Sequence, residues 1–122
     1  MIELKSVVKT YQNITAVDNI SLKIDKGETC VLIGPSGCGK STTLKTINKM
    51  IVPDSGDVLI NNNSVNDFKE YELRRSIGYV IQSVGLFPHM TVYANIKTVP
   101  SLLKWDKKRM EKRVSELLEL FK

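Results

Sequence analysis

The sequence of 122 residues contains few of the side chains from which disulfide frameworks and metal sites are built. It has one histidine, His89, and two cysteines, Cys30 and Cys38, which do not form a CxxC pair. Disulfide-stabilised domains and structural zinc sites need more such residues at characteristic spacings. We therefore expect neither kind of site, and the cysteine content favours a reducing, cytosolic location.

Long hydrophobic runs are also missing. No window approaches the roughly 18 consecutive apolar residues that a membrane-spanning helix requires. Residues 1–5 alternate between apolar and charged side chains, which is not the pattern of a signal peptide. Apolar residues make up 42% of the chain and charged residues 25%, as in ordinary globular domains. Any role at a membrane is therefore predicted to be peripheral.

The net charge of +5 is concentrated at one end of the sequence. Residues 97–122 carry eight Lys or Arg against four Asp or Glu, whereas residues 1–96 carry ten against nine. A solvated helix face is the ordinary explanation for such a basic segment. Binding to nucleic acid or to an anionic membrane surface is the alternative.

Apolar periodicity predicts an α/β fold whose first elements are strands. Residues 2–8 and 20–24 alternate, as half-buried antiparallel strands do. Residues 29–33 form a nearly continuous apolar run, which predicts a strand covered on both faces. Further strands are predicted at residues 57–60 and 78–81, with turn residues at 61–63 between them.

Three helices are predicted from periodicity and capping signals. The first follows Gly39, carries Leu44, Ile47 and Ile51 on one face, and should stop by Pro53 or Gly56. The second is a short helix within residues 68–75. The third begins after Asp106 as N-cap. Its expected apolar face consists of Met110, Val114, Leu117, Leu118 and Phe121.

A phosphate-binding loop is the most specific feature of the sequence. Residues 34–41, Gly-Pro-Ser-Gly-Cys-Gly-Lys-Ser, match the pattern G-x-x-x-x-G-K-[ST]. The composition of the chain gives about 0.006 matches by chance. The spacing is not the G-x-G-x-x-G of dinucleotide-binding folds. The candidate nucleotide-binding residues in the loop and the first helical turn are Gly34, Pro35, Ser36, Gly37, Cys38, Gly39, Lys40, Ser41 and Thr42.

The chemistry of phosphate binding explains these residue types. Glycines allow backbone conformations with positive φ and let amide N–H groups approach phosphate oxygens. The helix that follows directs its positive dipole end at the same anion. Lys40 would reach the β- and γ-phosphates of ATP, and the hydroxyl of Ser41 would ligate Mg²⁺.

The wider pattern resembles the ATP-binding subunits of ABC transporters over essentially all 122 residues. Beyond the phosphate loop, the resemblance is carried by Tyr11, 23 residues before Gly34, by Gln82, and by residues 86–92. The resemblance implies that Tyr11 stacks on adenine and that Val17 lies near the sugar. By itself, Tyr11 would more often be a half-buried strand aromatic.

Gln82 resembles the glutamine of the family's Q-loop. The resemblance implies that it meets Mg²⁺ and the attacking water and communicates with the membrane subunit; an amide suits both tasks. A lone Gln after a strand would otherwise be a surface residue. His89 is predicted to be a surface or interface residue rather than a base. Ala94 departs from the family, where an acidic residue is common, which weakens inferences about the membrane contact.

The stretch 71–105, with residues 72–79 and 99–105, resembles importers of quaternary-amine osmoprotectants such as glycine betaine, carnitine or choline. The sequence has no LSGGQ-like signature, no apolar strand ending in Asp-Glu and no switch histidine, all of which lie further downstream in the family. We therefore expect a truncated ABC ATPase domain: residues 1–83 as β-subdomain and phosphate-loop core, and residues 84–122 as Q-loop continuation and start of a helical subdomain.

The function implied by the resemblance is that of an ATPase, with ATP and Mg²⁺ as cofactors, that energises import. The expected partners are a transmembrane permease subunit and a second ATP-binding subunit, at the cytoplasmic face of the cell membrane; no nucleic acid is expected. This chain alone should lack a catalytic residue and be inactive. The alternatives are an ABC ATPase acting on nucleic acid or ribosomes, and another phosphate-loop kinase or NTPase.

Overall fold

The computed structural model describes residues 1–83 and 85–121. In chain order the strands are β1 (Ile2–Tyr11), β2 (Ile14–Ile24), β3 (Ser55–Ile60) and β4 (Asn63–Ser64), and the helices are α1 (Lys40–Ile47), α2 (Glu70–Ser76), α3 (Val92–Leu102) and α4 (Lys107–Leu120). A 3₁₀ turn, Val65–Asp67, precedes α2. The chain divides into two compact units, the first of residues 1–78 and the second beginning at Tyr79.

An antiparallel sheet in the order β2-β1-β3-β4 forms the base of the first unit. Leu4 on β1 lies opposite Leu22 of β2 on one side and Val58 of β3 on the other. The alternating pattern thus predicted both the strands and their antiparallel pairing correctly. The strands are longer than predicted, since the hairpin continues to the pair Tyr11 and Ile14.

The core of the first unit lies on one face of this sheet. Its buried side chains come from three strands, the 3₁₀ turn and α2: Leu4, Val7, Val17, Val58, Val65 and Leu73. Ile47 of α1 and Ile77 after α2 pack against them. The sheet and α2 therefore share one hydrophobic core, although its residues come from distant segments of the chain.

Helix α1 starts where predicted but presents a different face. The predicted core residue Leu44 is 47% exposed, whereas Thr43 and Thr46 are buried. Both hydroxyls are satisfied within the helix, since Thr43 Oγ1 donates to the Gly39 carbonyl and Thr46 Oγ1 to the Thr43 carbonyl. The helix ends at Ile47, well before Pro53, and Lys49 then takes a left-handed conformation at φ 55°.

Two predicted strands were wrong. Residues 29–33 and 78–81 are irregular, and their apolar side chains are open to solvent, with Ile33 92% and Val80 94% exposed. A strand that is covered on both faces needs neighbours on both edges. In the described part of the chain the sheet consists of β1 to β4 only, so neither segment has a strand to pair with.

The second unit contains α3 and α4, whose N-caps follow the expected chemistry. Asp106 accepts a hydrogen bond from Arg109 N at 2.9 Å, which confirms the predicted cap, and Thr91 does the same for Ala94 N at 3.1 Å. On α4 only Val114 is buried, while Leu118 is 44% and Phe121 82% exposed, so the predicted apolar face is only partly covered.

The predicted division of the chain began at Val84, which lies outside the described residues. The predicted boundary stays a prediction; the second compact unit of the structure begins at Tyr79. Within the described residues, no helix has the length and apolar character needed to cross a bilayer.

Candidate functional site

The predicted phosphate loop is an irregular segment that leads directly into α1. Gly37 and Gly39 have φ values of 84° and 94°, which side chains with a Cβ rarely adopt. A Cβ at Gly39 would also collide with the carbonyl oxygen of Ala16 on β2. Glycine at position 39 is therefore required both by its conformation and by the close approach of the loop to the hairpin.

The side chain of Lys40 makes hydrogen bonds to the backbone of the phosphate loop. Its Nζ donates to the carbonyl oxygens of Gly34 and Pro35, both at 2.7 Å, and lies 3.5 Å from Cys38 Sγ. The ammonium group therefore lies in the middle of the loop, where a phosphate would meet a compact positive charge. Cys30 and Cys38 are both free and exposed.

The N-terminal end of α1 forms the floor of a small depression of about 120 Å³. Its lining residues are Gly37, Gly39, Lys40, Ser41 and Thr42. Backbone N–H groups at the first turn of a helix have no intrahelical partner, and the helix dipole favours an anion there. The depression thus combines a lysine, a hydroxyl and free amides.

Tyr11 is at the end of β1 with its ring accessible. The side chain is 45% exposed, and the Nζ of Lys9 lies 5.5 Å from the centre of the ring. Asp54 fastens this end of β1, because its carboxylate accepts from Lys9 Nζ and from Thr10 N, both at 2.7 Å. The hydrogen bond from Lys9 and that from Thr10 lower the pKa of Asp54 below its ordinary 3.8. A ring held in this way is available for stacking.

Val17 does not present a binding surface in this structure. Its side chain is 1% exposed and belongs to the core, beneath the point where Gly39 approaches β2. The contact with the sugar of the nucleotide that the resemblance implies for Val17 stays a prediction. What the structure does show is that the hairpin residues 16–17 support the phosphate loop.

Gln82 belongs to the second unit, where it lies in an exposed, irregular segment. The shared role of Gln82 and Ser41 at Mg²⁺ stays a prediction. Among the described residues, no group of three His, Cys, Asp or Glu side chains could hold a metal by itself. A hydroxyl and an amide carbonyl are nevertheless hard oxygen ligands that fit Mg²⁺ when phosphate oxygens and water complete its shell.

The loop after Gln82 exposes three apolar side chains. Leu86 is 62%, Phe87 48% and Met90 40% exposed. The ring of His89 makes an edge contact with Phe87 at 6.0 Å between centroids, as expected of a surface residue. The same segment contains a cavity of about 460 Å³. Its lining residues are Tyr79, Val80, Ile81, Ser83, Gly85 and Leu86.

Asn95 makes backbone contacts to this loop that sequence reasoning missed. Its Oδ1 accepts from Phe87 N at 2.8 Å, and its Nδ2 donates to the carbonyls of Phe87, Met90 and Thr91 at 3.0 to 3.3 Å. One side chain in the first turn of α3 thus closes the loop of residues 87–91. An Asn just inside a capped helix is the available signal, since its amide readily competes for backbone groups.

Comparison with known proteins agrees with the resemblance to ATP-binding subunits of ABC transporters. A profile of the family "ABC transporter" matches residues 17–122. The chain is 51% identical to the osmoprotectant import ATP-binding protein OsmV of Salmonella typhimurium, covering 98% of this chain and 33% of that protein. It is 52% identical to the choline transport ATP-binding protein OpuBA of Bacillus subtilis, with 98% and 32% covered. The chain thus spans about a third of the length of these relatives.

A solved structure agrees with these sequence matches. The ATP-binding cassette MJ0796, described as a dimeric post-hydrolysis state bound to ADP and Pi, superimposes with a TM-score of 0.82 at 36% identity, covering 98% of this chain and 56% of that one. The chain therefore belongs to the ABC transporter family, as an α/β fragment of its ATPase cassette.

Proposed function

We propose that the complete protein is the ATP-binding motor subunit of an ABC importer of quaternary-amine osmoprotectants. The single observation that carries the proposal is the arrangement of residues 34–42. There the ammonium group of Lys40 is held by two loop carbonyls beside the N-terminal end of α1. This arrangement is suited to a nucleoside triphosphate, because hydrogen-bond donors and positive charge converge on one small depression.

Mg²⁺ would be held through the Ser41 hydroxyl and the phosphates, with Gln82 as the second protein ligand. When bound, the ion would neutralise charge on the transferred phosphoryl group. The residues of this chain bind and orient the nucleotide: the loop amides and Lys40 take the phosphates, and the Tyr11 ring takes the base.

The test of nucleotide binding is the affinity of the complete protein for Mg-ATP, measured by titration with a fluorescent ATP analogue. Lys40→Ala should abolish measurable binding, because it removes the charge inside the loop. Lys45→Ala is the matched control, since Lys45 is an exposed lysine near the other end of the same helix. Unaltered affinity in Lys40→Ala would refute the assignment.

Base stacking can be separated from phosphate binding at Tyr11. Tyr11→Ala should weaken ATP binding by about 1–3 kcal/mol, the usual range for stacking on a base. Tyr11→Phe should bind almost as the wild type, because stacking uses the ring and not the hydroxyl. If both variants bind like the wild type, the adenine lies elsewhere.

Hydrolysis requires an in-line water and a group that positions it, as well as charge neutralisation. Residues 1–122 contain the phosphate loop and Gln82 but no Asp-Glu strand end or signature motif. We infer that catalysis needs the remainder of the protein and a second ATP-binding subunit. Purified residues 1–122 should show no ATPase activity above background, and turnover abolished by Lys40→Ala would point to a different enzyme class.

The permease partner is inferred from the apolar loop of residues 86–90. Three side chains of this loop are exposed, although apolar surface in water is unfavourable by roughly 25 cal/mol per Å². Asn95 holds the loop in one conformation, which suits a docking surface. The protein would therefore lie peripherally at the cytoplasmic face of the membrane, with Phe87 in a groove that receives a helix of the permease.

The test of this contact is solute uptake by the full transporter. Phe87→Ala should depress uptake of radiolabelled choline or glycine betaine while the isolated subunit keeps its ATP affinity. Leu120→Ala is the control, since Leu120 is an exposed apolar residue of the same unit and lies off the predicted apolar face of α4. Equal loss of ATP binding and uptake in Phe87→Ala would instead assign Phe87 to the core. Transport of an unrelated solute in place of quaternary amines would refute the substrate class.

The basic end of the chain gives little support to nucleic-acid binding. On α4, Lys107 pairs with Glu111, and Lys112 and Arg113 both pair with Glu116, at 3.1 to 4.0 Å. Positive charge on this helix is therefore partly balanced by its own carboxylates. A salt-dependent mobility shift with DNA or RNA would reverse this conclusion.

A further inference from the structure

The C-terminal end of α1 is tied to α2 by a single side chain. The guanidinium of Arg74 donates from Nη2 to the carbonyl oxygen of Lys49 at 2.7 Å and from Nε to that of Asn48 at 3.4 Å. It also pairs with the carboxylate of Glu70, one turn earlier on α2, at 3.0 Å. The planar fork of an arginine is suited to binding several oxygens in one fixed orientation.

A second cation makes the reverse connection. Lys49 follows α1 in the left-handed conformation, and its Nζ donates to the carbonyls of Phe68 at 3.1 Å and Asn66 at 3.4 Å. These carbonyls belong to the segment that leads into α2. The two cations thus join the end of α1 and the start of α2 in both directions. Positive charge at a helix C-terminus is also favoured by the helix dipole.

Helix α1 depends on these polar contacts because its apolar packing is slight. Its buried residues are Thr43 and Thr46, and only Ile47 packs partly against the core. The helix has eight residues and about two turns, so it moves as a rigid rod. A shift at its C-terminal end therefore displaces its N-terminal end, where Lys40 and Ser41 lie.

We propose that Arg74 is a positioning residue for the nucleotide site, acting through α1. It touches neither phosphate nor Mg²⁺, but it fixes the helix whose first turn binds them. The inference rests on the proposed function, since it assumes that residues 34–42 bind a nucleotide.

The experiment compares Arg74→Leu with Arg75→Leu in the complete protein. Arg75 lies next to Arg74 on α2, and its guanidinium is stacked 5.2 Å from the centre of the Tyr71 ring, so this variant controls for the loss of charge and length. Arg74→Leu should weaken Mg-ATP binding roughly tenfold, because small displacements of a binding group have large effects. Arg75→Leu should bind as the wild type, and Arg74→Lys, which keeps the charge and one donor group, should recover part of the loss.

Amide hydrogen exchange gives a readout that does not depend on the nucleotide. Arg74→Leu should speed exchange of the amides of α1 relative to those of β1, whereas Arg75→Leu should leave this ratio unchanged. If Arg74→Leu does not fold, Arg74→Lys is measured in its place, and weaker ATP binding at an unchanged thermal midpoint supports the inference.

Lys40→Ala, measured in parallel, distinguishes a failure of the proposed role of Arg74 from a failure of the proposed function. If Lys40→Ala loses ATP while Arg74→Leu and Arg75→Leu bind equally well, the inference is overturned and the proposed function stands. If Lys40→Ala binds ATP as the wild type does, the proposed function fails, and with it the role of Arg74 at a nucleotide site.

Discussion

The β1–β2 hairpin and residues 29–33 are both rich in apolar residues, but the structure treats them in opposite ways. In the hairpin, Val7 and Val17 are at most 1% exposed. In the second segment, Val31 is 70% and Ile33 92% exposed, and no strand forms. The two segments differ in whether a partner strand is available. β1 pairs with the strand that follows it across a two-residue turn, and β3 completes its other edge.

The difference shows that apolar character and strand formation are separate properties. A half-buried antiparallel strand can be completed by a sequence neighbour, whereas a strand covered on both faces needs partners from elsewhere in the chain. The phosphate loop follows Ile33 directly, so it lies between a segment without a partner strand and a helix whose apolar packing is slight. Its shape in this structure comes from internal contacts, namely Lys40 with two carbonyls and Gly39 against β2.

The sharpest test of the comparison replaces one side chain in each segment. Leu4→Ala, at a position 1% exposed, should destabilise residues 1–122 by about 2–5 kcal/mol, the usual range for a buried leucine. Ile33→Ala should change stability by no more than about 0.5 kcal/mol, as at an ordinary surface position. Urea unfolding of both variants measures the difference. A large effect of Ile33→Ala in this chain would mean that residues 29–33 are packed.

The stability effects of Leu4→Ala and Ile33→Ala can also be compared in the complete protein. If later strands cover residues 29–33, the effect of Ile33→Ala should rise toward that of Leu4→Ala. An effect that stays small in the complete protein would remove the basis for a strand at this position.

The second prediction concerns the point where the loop touches the hairpin. Gly39→Ala should destabilise the first unit by at least about 1–2 kcal/mol, the penalty for a left-handed residue with a Cβ, and the collision with Ala16 should add to it. Gly37→Ala shares the positive φ but meets no neighbour, so its effect should be smaller. Gly78→Ala meets open space at an ordinary φ and should be nearly neutral. Equal effects at positions 37 and 39 would show that the hairpin does not support the loop.

Sequence reasoning succeeded where the controlling interactions are local. The start of α1 and the cap at Asp106 each depend on a few adjacent residues, and both are present. It failed at residues 29–33 and 78–81, whose fate depends on distant partners that periodicity cannot reveal. It also missed Asn95 and Arg74. Both bind backbone carbonyls, and the available signal was limited to the place of Asn95 just inside a capped helix.

A smaller loss of stability is expected in the second unit, from removal of the N-cap of α4. Asp106→Ala removes the acceptor for Arg109 N and should destabilise α4 by about 1 kcal/mol. Asp106→Asn keeps an acceptor and should be nearly neutral. Helix content followed by circular dichroism during thermal unfolding measures both. The hairpin should be unaffected, so exchange rates of β1 amides that rise with those of α4 would contradict the division into two units.

The smallest effect is expected from Asp54, the exposed carboxylate that fastens the end of β1. Lys9 and the amide of Thr10 lower its pKa below 3.8, so the folded state holds the charged form more tightly than the unfolded chain does. The resulting stabilisation is therefore fully present above about pH 5 and is lost as the pH falls through the lowered pKa.

Asp54→Asn should be less stable than the wild type at pH 7, and the difference should shrink as the medium is acidified. Asp18→Asn, an exposed carboxylate on β2, controls for the general loss of charge. High salt should reduce the difference, as it does for exposed ion pairs. A difference between the wild type and Asp54→Asn that stays constant from pH 7 to pH 3 would show that the carboxylate acts by its shape rather than by its charge.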